Sequence, residues 1–140
     1  MILTNHAVAG AALASLVPNE PLVGFIMVFL SHFVLDAIPH WDYSLQSLKE
    51  DKDNSLNNDM ILNGKFVNDI FKISLDIIIG ISLSFLVFSF YLKYSVWAVL
   101  CGAIGAMTPD ALQFIYMKWR HEPLVSLKKF HVWIHADKIN

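Results

Sequence analysis

The feature that most constrains this chain is a long apolar stretch from Phe66 to Leu92, FVNDIFKISLDIIIGISLSFLVFSFYL. Crossing the hydrocarbon core of a bilayer takes about 20 residues in a helix, so the stretch is long enough to span a membrane. The composition agrees, because 56% of the 140 residues are hydrophobic and only 16% are charged. Mean hydropathy is +0.52. The sequence therefore predicts a membrane protein or an unusually apolar helical bundle, with length for one domain.

Three further apolar segments predict helices: Ile2 to Val17, Leu22 to Ile38, and Val96 to about Met107 with a helical stretch continuing towards Trp119. The turns PNEP and KYS that connect neighbouring segments are short, which favours antiparallel pairs. We expect an all-α fold in one domain over residues 1–140. It would be a membrane-embedded bundle of two antiparallel helical hairpins and a C-terminal helix, with a polar loop at residues 44–65.

This topology gathers the polar residues at one membrane face. The N-terminus, the 44–65 loop and the C-terminal tail all fall on the same side. All six histidines lie at or near that face: His6, His32, His40, His121, His131 and His135. So do five aspartates: Asp36, Asp42, Asp69, Asp76 and Asp110. The sequence thus predicts a polar site at one face of the bundle.

The cations predict the orientation. Lys93 is alone on the opposite face, whereas the polar face carries Lys49, Lys52, Lys65, Lys72, Lys118, Arg120, Lys128, Lys129 and Lys138. The positive-inside rule makes that face cytoplasmic. The first helix lacks the Lys/Arg-rich start of a secretory signal, so we expect it to be retained. We therefore predict a multi-pass inner-membrane protein whose N-terminus and site face the cytoplasm.

Charge and cysteine content exclude some functions. A net charge of −2 and a single arginine give no basis for nucleic-acid binding. The one cysteine, Cys101, rules out an intramolecular disulfide, and we expect it to be a small buried residue. Membrane lipid is the expected partner, and the oligomeric state is open.

The stretch LSHFVLDAIPHWDY suggests metal ligands. His32 and Asp36 are four residues apart, so a helix projects both from one face, as two ligands of one metal or as a ligand and its orienting carboxylate. His40 follows after Pro39. Three further groups join the candidate set: His6 beside a small-residue face, Asp110, and the i,i+4 pair His131 and His135. We predict metal ligation by these seven residues.

Several of these residues also have structural explanations. Asp110 fits an ordinary helix start after Thr108 and Pro109. His131 and His135 fit a solvated surface helix, and His40 and Asp42 fit an interfacial segment beside Trp41 and Tyr43. For Asp69 a surface pair with Lys72 is the favoured expectation. Asp76, Asp36 and His32 resist such explanations, because an ionisable group within an apolar helix is costly unless it is paired.

Four pieces of the chain, TNHAVAGA, SHFVLDAIPHWDY, GAIGAMTPDALQF and FHVWIH, resemble a family of small multi-pass bacterial inner-membrane proteins. That family is described as metal-dependent hydrolases near the zinc-dependent phospholipase C class. The resemblance implies an all-helical fold and a zinc-type site using His6, His32, Asp36, Asp110 and the terminal histidines. It also implies phosphoester hydrolysis.

The favoured function is a metal-dependent hydrolase of a phosphoester such as a phospholipid headgroup. It would use one to three ions of zinc or another divalent metal. Asp42 or Asp76 would take a proton from water or orient a ligating imidazole. The loop of residues 44–65 is either a cover over the site or a disordered linker. Two alternatives stay open: a non-catalytic metal-binding or ion-transport protein, and a helical assembly factor whose polar groups only satisfy each other.

Overall fold

A computed structural model of the chain describes residues 2–135. Lys138, one of the cations counted above, lies outside the described residues. The helices are α1 (Leu3–Ser15), α2 (Pro21–Asp36), α3 (Gly64–Ser84), α4 (Val96–Lys118) and α5 (Leu124–Ile134). Beyond Ser84 the third helix continues as a π-helix, Phe85–Tyr91. The prediction of an all-α fold is confirmed, since the described strands β1 (Leu48–Lys49) and β2 (Asp59–Met60) have two residues each.

Helix α1 lies at the centre and packs against α2, α3 and α4. Small residues permit this approach. Gly10 and Gly102 face each other so closely that a Cβ at Gly10 would lie 2.5 Å from the Ala106 Cβ, and a Cβ at Gly102 would lie 2.6 Å from the Ala14 Cβ. On the other side of α1, a Cβ at Gly80 would lie 2.9 Å from the Ala7 Cβ. The stripe of small residues therefore sets how near the neighbouring helices can come.

Helix α4 runs without interruption through Pro109, which lies in its interior. The expectation that a new helix starts at Thr108 is wrong. Thr108 does not cap a helix; its hydroxyl donates to the carbonyl of Ile104, 2.9 Å away in the preceding turn. Because proline has no N–H, it cannot donate to the carbonyl four residues earlier, and neighbouring groups satisfy such a site when packing is favourable. Asp110 is therefore a residue of the helix interior.

The polar segment between α2 and α3 is ordered. Strands β1 and β2 pair antiparallel, with Leu48 opposite Met60. The segment is held by the end of α4: the Tyr116 hydroxyl donates to the Leu56 carbonyl at 3.0 Å, and Lys118 Nζ donates to Asp59 Oδ1 at 2.7 Å and to the Met60 carbonyl. These contacts favour a folded segment over a disordered linker.

A second anchor of the segment corrects the expectation for Asp69. The Asp69 carboxylate accepts from the Ser47 backbone N–H and hydroxyl, both at 2.7 Å. Lys72 Nζ lies 3.9 Å from it, but Asp69 is fully buried. Asp69 thus fixes the start of the segment to α3, and is no surface residue.

Large apolar side chains cover the outside of the helices. Two described helical stretches are long and apolar enough to cross a membrane, Gly64–Tyr91 with 28 residues and Val96–Lys118 with 23, whereas α2 is apolar but shorter. Val67, Phe71 and Ile78 of α3 are at least 60% exposed. Cys101 is exposed too, so its expected burial is wrong. The histidines and aspartates of the helices, by contrast, are all buried or half-buried.

Candidate metal centre

His32 and Asp36 occupy the last two turns of α2, and the helix places both side chains inwards. His32 is fully buried and Asp36 is 1% exposed. His32 Nε2 lies 3.0 Å from Asp36 Oδ2. The helix ends at Asp36, three residues before Pro39, as expected where a proline cannot continue the hydrogen-bond pattern. The four-residue spacing seen in the sequence therefore produces a joint site.

Two more histidines reach the same carboxylate from other helices. His6 of α1 places Nε2 3.2 Å from Asp36 Oδ1, and its ring stacks on that of His32 with centroids 4.1 Å apart. His131 of α5 places Nε2 2.8 Å from Asp36 Oδ2. Both side chains are almost fully buried. Three imidazoles therefore surround one buried carboxylate.

Helix α4 adds a second carboxylate. Asp110 Oδ1 lies 3.6 Å from His32 Nε2. At 30% exposure Asp110 is the most accessible acidic group of the cluster. Gln113, one turn further along α4, donates from Nε2 to Asp110 Oδ1 at 3.0 Å, and the same nitrogen lies 3.3 Å from His131 Nε2. Asp110 thus connects the buried cluster with the exterior.

A hydrogen bond to the backbone fixes the orientation of the His32 ring and the nitrogen that carries its proton. Its Nδ1 lies 2.8 Å from the Ala106 carbonyl oxygen, which can only accept, so Nδ1 carries the proton. In neutral imidazole Nε2 then holds a lone pair, directed at the Asp36 oxygen. A lone pair facing an anionic oxygen is repulsive unless a proton or a metal cation lies between them. The Ala106 carbonyl orients His32 in the way that backbone carbonyls orient many metal-ligating histidines.

The spacing of the side-chain atoms fits a divalent cation. Two ligands about 2.0–2.1 Å from a tetrahedral zinc ion are about 3.4 Å apart. The separations here, between 2.8 and 3.6 Å, are close to this value. One ligand atom from each of His32, Asp36, Asp110 and His131 lies within 4.8 Å of the others. His6 is beside this group through its contact with Asp36.

His40 and His135 lie at the edge of the cluster. Their ring centroids are 4.9 Å apart, and the His135 ring also stacks on that of His131 at 5.6 Å. One atom from each of Asp36, His40 and His135 lies within 4.8 Å of the others. All seven residues predicted as ligands therefore lie close together. Five of them form the main cluster, His6, His32, Asp36, Asp110 and His131, and the other two lie at its edge.

The two residues predicted as catalytic, Asp76 and Asp42, have other surroundings. Asp76 caps the N-terminus of α1: its carboxylate accepts from the backbone N–H groups of Leu3 at 2.7 Å and Thr4 at 3.2 Å, and from the Thr4 hydroxyl at 2.6 Å. A carboxylate at a helix N-terminus is stabilising in its own right, so this geometry makes Asp76 a structural residue and disfavours it as a base.

Asp42 follows α2 in an extended segment and is half-buried. It lies near Tyr43, and burial together with the carboxylates of Asp76, Asp42 and Asp110 raises the pKa of the Tyr43 phenol. Its catalytic role stays a prediction, and Asp110 occupies the position next to the histidines.

Two site residues were missed in the sequence, Gln113 and Lys128. Lys128 Nζ donates to Gln113 Oε1, and Lys128 is 7% exposed. Burial lowers the pKa of Lys128, while the Asp110 carboxylate opposes the shift. The available signal was helical spacing, because Gln113 follows Asp110 by three residues and Lys128 precedes His131 by three. The Lys128 ammonium is thus connected to the cluster through the side-chain amide of Gln113.

Comparison with known proteins gives no family for the chain: no family model matches it, and neither a curated protein nor a solved structure is similar to it.

Proposed function

We propose that this chain is a membrane-embedded, metal-dependent hydrolase of a phosphoester, such as a phospholipid headgroup. The observation that carries the proposal is the convergence of three buried imidazoles and two carboxylates from α1, α2, α4 and α5. Ionisable groups buried in an otherwise apolar bundle are costly, so their collection at one place favours a functional site.

The exposed surface supports a position in the membrane. Apolar side chains cover α2, α3 and α4, and all four tryptophans are more than half exposed. Trp97 lies in the first turn of α4, at the end away from Asp110. The other three are near the opposite end in sequence: Trp41 follows His40, Trp119 follows the end of α4, and Trp133 lies two residues after His131. Aromatic residues at two levels separated by apolar surface are typical of bilayer interfaces. The two-hairpin arrangement and the cytoplasmic position of the cluster, inferred from the lysines, are parts of this proposal.

The chemistry of the cluster suits phosphoester hydrolysis. His6, His32, Asp36, Asp110 and His131 are the residues that would hold the ion. A bound divalent cation such as Zn²⁺ lowers the pKa of water and polarises a phosphoryl oxygen. During hydrolysis the water oxygen bonds to phosphorus, the bond to the alcohol oxygen breaks, and the released alcohol takes up a proton.

Asp110 has two carboxylate oxygens, so one would hold the ion while the other, on the accessible side, is the best-placed atom to accept the proton lost by water. Asp110 is the partly exposed carboxylate of the cluster, and Gln113 orients it. Lys128, held on the other side of Gln113, adds positive charge close to where an anionic substrate would enter. A membrane lipid reaches such a position from the side, which is the reason to favour a lipid headgroup.

Ion transport is disfavoured by two of the serines in the other half of the bundle, whereas a third buried serine, Ser89, has no hydrogen-bond partner for its hydroxyl within residues 2–135. Ser15 and Ser84 are buried, but each hydroxyl donates at 2.7 Å to a carbonyl of its own helix, Ala11 and Gly80 respectively. Hydroxyls occupied in this way do not line a path for ions. Static binding without catalysis remains the second candidate, and the activity test below separates it from hydrolysis.

The first test is metal content. The protein purified in detergent is compared with His32→Ala and Asp36→Ala by elemental analysis, with His121→Ala as the control, since His121 is an exposed histidine outside the cluster. We expect bound divalent metal in the wild type and in the control, and loss of most of it in the two cluster variants. A wild-type content near zero, equal to that of the variants, would refute the proposal.

The second test is activity. Wild type and Asp110→Asn are mixed with vesicles of a zwitterionic and an anionic phospholipid, and the release of water-soluble phosphorylated headgroup is measured. We expect release by the wild type and at least a 100-fold lower rate for Asp110→Asn, as typical for loss of a general base. The metal content of Asp110→Asn is measured beside its rate, so that loss of the base is separated from loss of the ion. Metal binding without release from either vesicle would favour the non-catalytic alternative.

A further inference from the structure

His40 is a buried histidine that the site described so far does not use. It follows Pro39, is 7% exposed, and directs its ring towards the end of α5. Its Nδ1 lies 2.7 Å from the Ile38 carbonyl oxygen, so Nδ1 carries the proton and neutral Nε2 has a lone pair. Within residues 2–135 this buried Nε2 has no hydrogen-bond partner. An imidazole oriented by a carbonyl with its other nitrogen unused is prepared as a ligand.

His135 brings a second imidazole to the same place. It ends α5, where its backbone N–H donates to the His131 carbonyl at 3.0 Å. Its ring lies between those of His40 and His131, at centroid distances of 4.9 and 5.6 Å. Helix α5 therefore carries His131 towards one side of Asp36 and His135 towards His40.

Asp36 completes the group. One of its oxygens and one nitrogen from each of His40 and His135 lie within 4.8 Å of one another. The same carboxylate belongs to the first group with His32, Asp110 and His131. Because a carboxylate has two oxygens with several lone pairs, it can serve two cations at once.

We propose that the centre holds two divalent cations bridged by Asp36, the second bound by His40 and His135. This inference rests on the proposed function and deepens it. Paired cations about 3.5–4 Å apart stabilise both the attacking and the leaving oxygen in phosphoryl displacement. Two imidazoles and one carboxylate leave positions for substrate on the second cation, which favours a phosphoester whose phosphoryl group reaches both.

The test is the number of ions bound to each chain. The full-length protein in detergent is loaded with Zn²⁺, freed of excess metal, and analysed for zinc per chain. We expect two ions in the wild type and in His121→Ala, one in His40→Ala and in His135→Ala, and fewer than one in Asp36→Ala. Thermal unfolding of each variant without metal shows whether it is folded.

A second measurement does not depend on counting. The second measurement is electron paramagnetic resonance with Mn²⁺ in place of zinc. Two Mn²⁺ ions that share a carboxylate give an exchange-coupled spectrum, whereas a single ion gives the ordinary six-line signal. We expect coupling in the wild type and its loss in His40→Ala, with an uncoupled signal of one ion left.

The results separate the two proposals. One ion in the wild type that is lost in His32→Ala and kept in His40→Ala would overturn the two-ion centre and leave the proposed function intact. Two uncoupled ions, or an unchanged content in both His40→Ala and His135→Ala, would also overturn it. No bound metal in the wild type would overturn both.

Discussion

Adding one methyl group to Gly10 tests whether the contact between α1 and α4 controls stability and site together. The new Cβ would lie 2.5 Å from the Ala106 Cβ, and nearer still to the Gly102 carbonyl oxygen. Carbon atoms in contact are normally about 3.5–4.0 Å apart, so the helices have to separate by about 1–1.5 Å. Neither obstacle is a flexible side chain that can turn aside. We expect Gly10→Ala to cost about 1–3 kcal/mol of stability, as overpacking usually does.

The assay is thermal unfolding in detergent, together with metal content. For a chain of this size the cost corresponds to a fall of about 3–12 °C in the unfolding midpoint. Because α1 also carries His6, the displacement should weaken metal retention. The matched control is Gly24→Ala in α2, where the new Cβ would meet only the Val17 Cγ2 at 3.5 Å, an ordinary contact. A midpoint and metal content for Gly10→Ala equal to those of Gly24→Ala would refute the reasoning.

Two further predictions concern carboxylates outside the cluster. Asp76→Ala leaves the N–H groups that start α1 without their acceptor and should lower stability by about 1–3 kcal/mol. Asp76→Asn should cost less, because its amide oxygen still accepts. Thermal unfolding measures both variants, and loss of metal without loss of stability would contradict a capping role. The Lys118 ammonium lowers the pKa of Asp59, so the bond that fixes the polar segment contributes above the ordinary carboxyl pKa and is lost as pH falls through the lowered one. The protection factors for hydrogen exchange of residues 48–60, corrected for the intrinsic pH dependence of amide exchange, should therefore fall on acidification below about pH 4. A Lys118→Met variant that keeps the same acid dependence would contradict this explanation.

Much of the cluster was predictable because helical spacing is local information. The i,i+4 positions of His32 and Asp36 follow from the sequence, and the alternation of apolar segments predicted that His6 and His131 approach the same end. What the sequence lacked was information on tertiary partners. Asp76 looked like a costly intramembrane charge because its partners, Leu3 and Thr4, are more than 70 positions away.

Proline was the other source of error. The pair Thr108 and Pro109 has the residue types of a helix start, and a proline usually marks a boundary. Here α4 continues through Pro109, which lies in the helix interior. Asp69 was misjudged for a similar reason, since its partner Ser47 belongs to a segment without helical periodicity. Local rules thus gave the helices, and distant polar contacts decided which acidic residues were structural.

The distance in sequence between Asp36 and His131 has a consequence for biosynthesis. The two residues touch, yet 95 positions separate them. A ribosome makes His6, His32 and Asp36 long before α5, so the early helices enter their environment with an acidic group whose last imidazole partner does not yet exist. Capture of a cation by all four residues therefore requires a nascent chain that has been translated past α5. A product truncated before α5 would lack His131 and would therefore not retain an ion that the full chain binds.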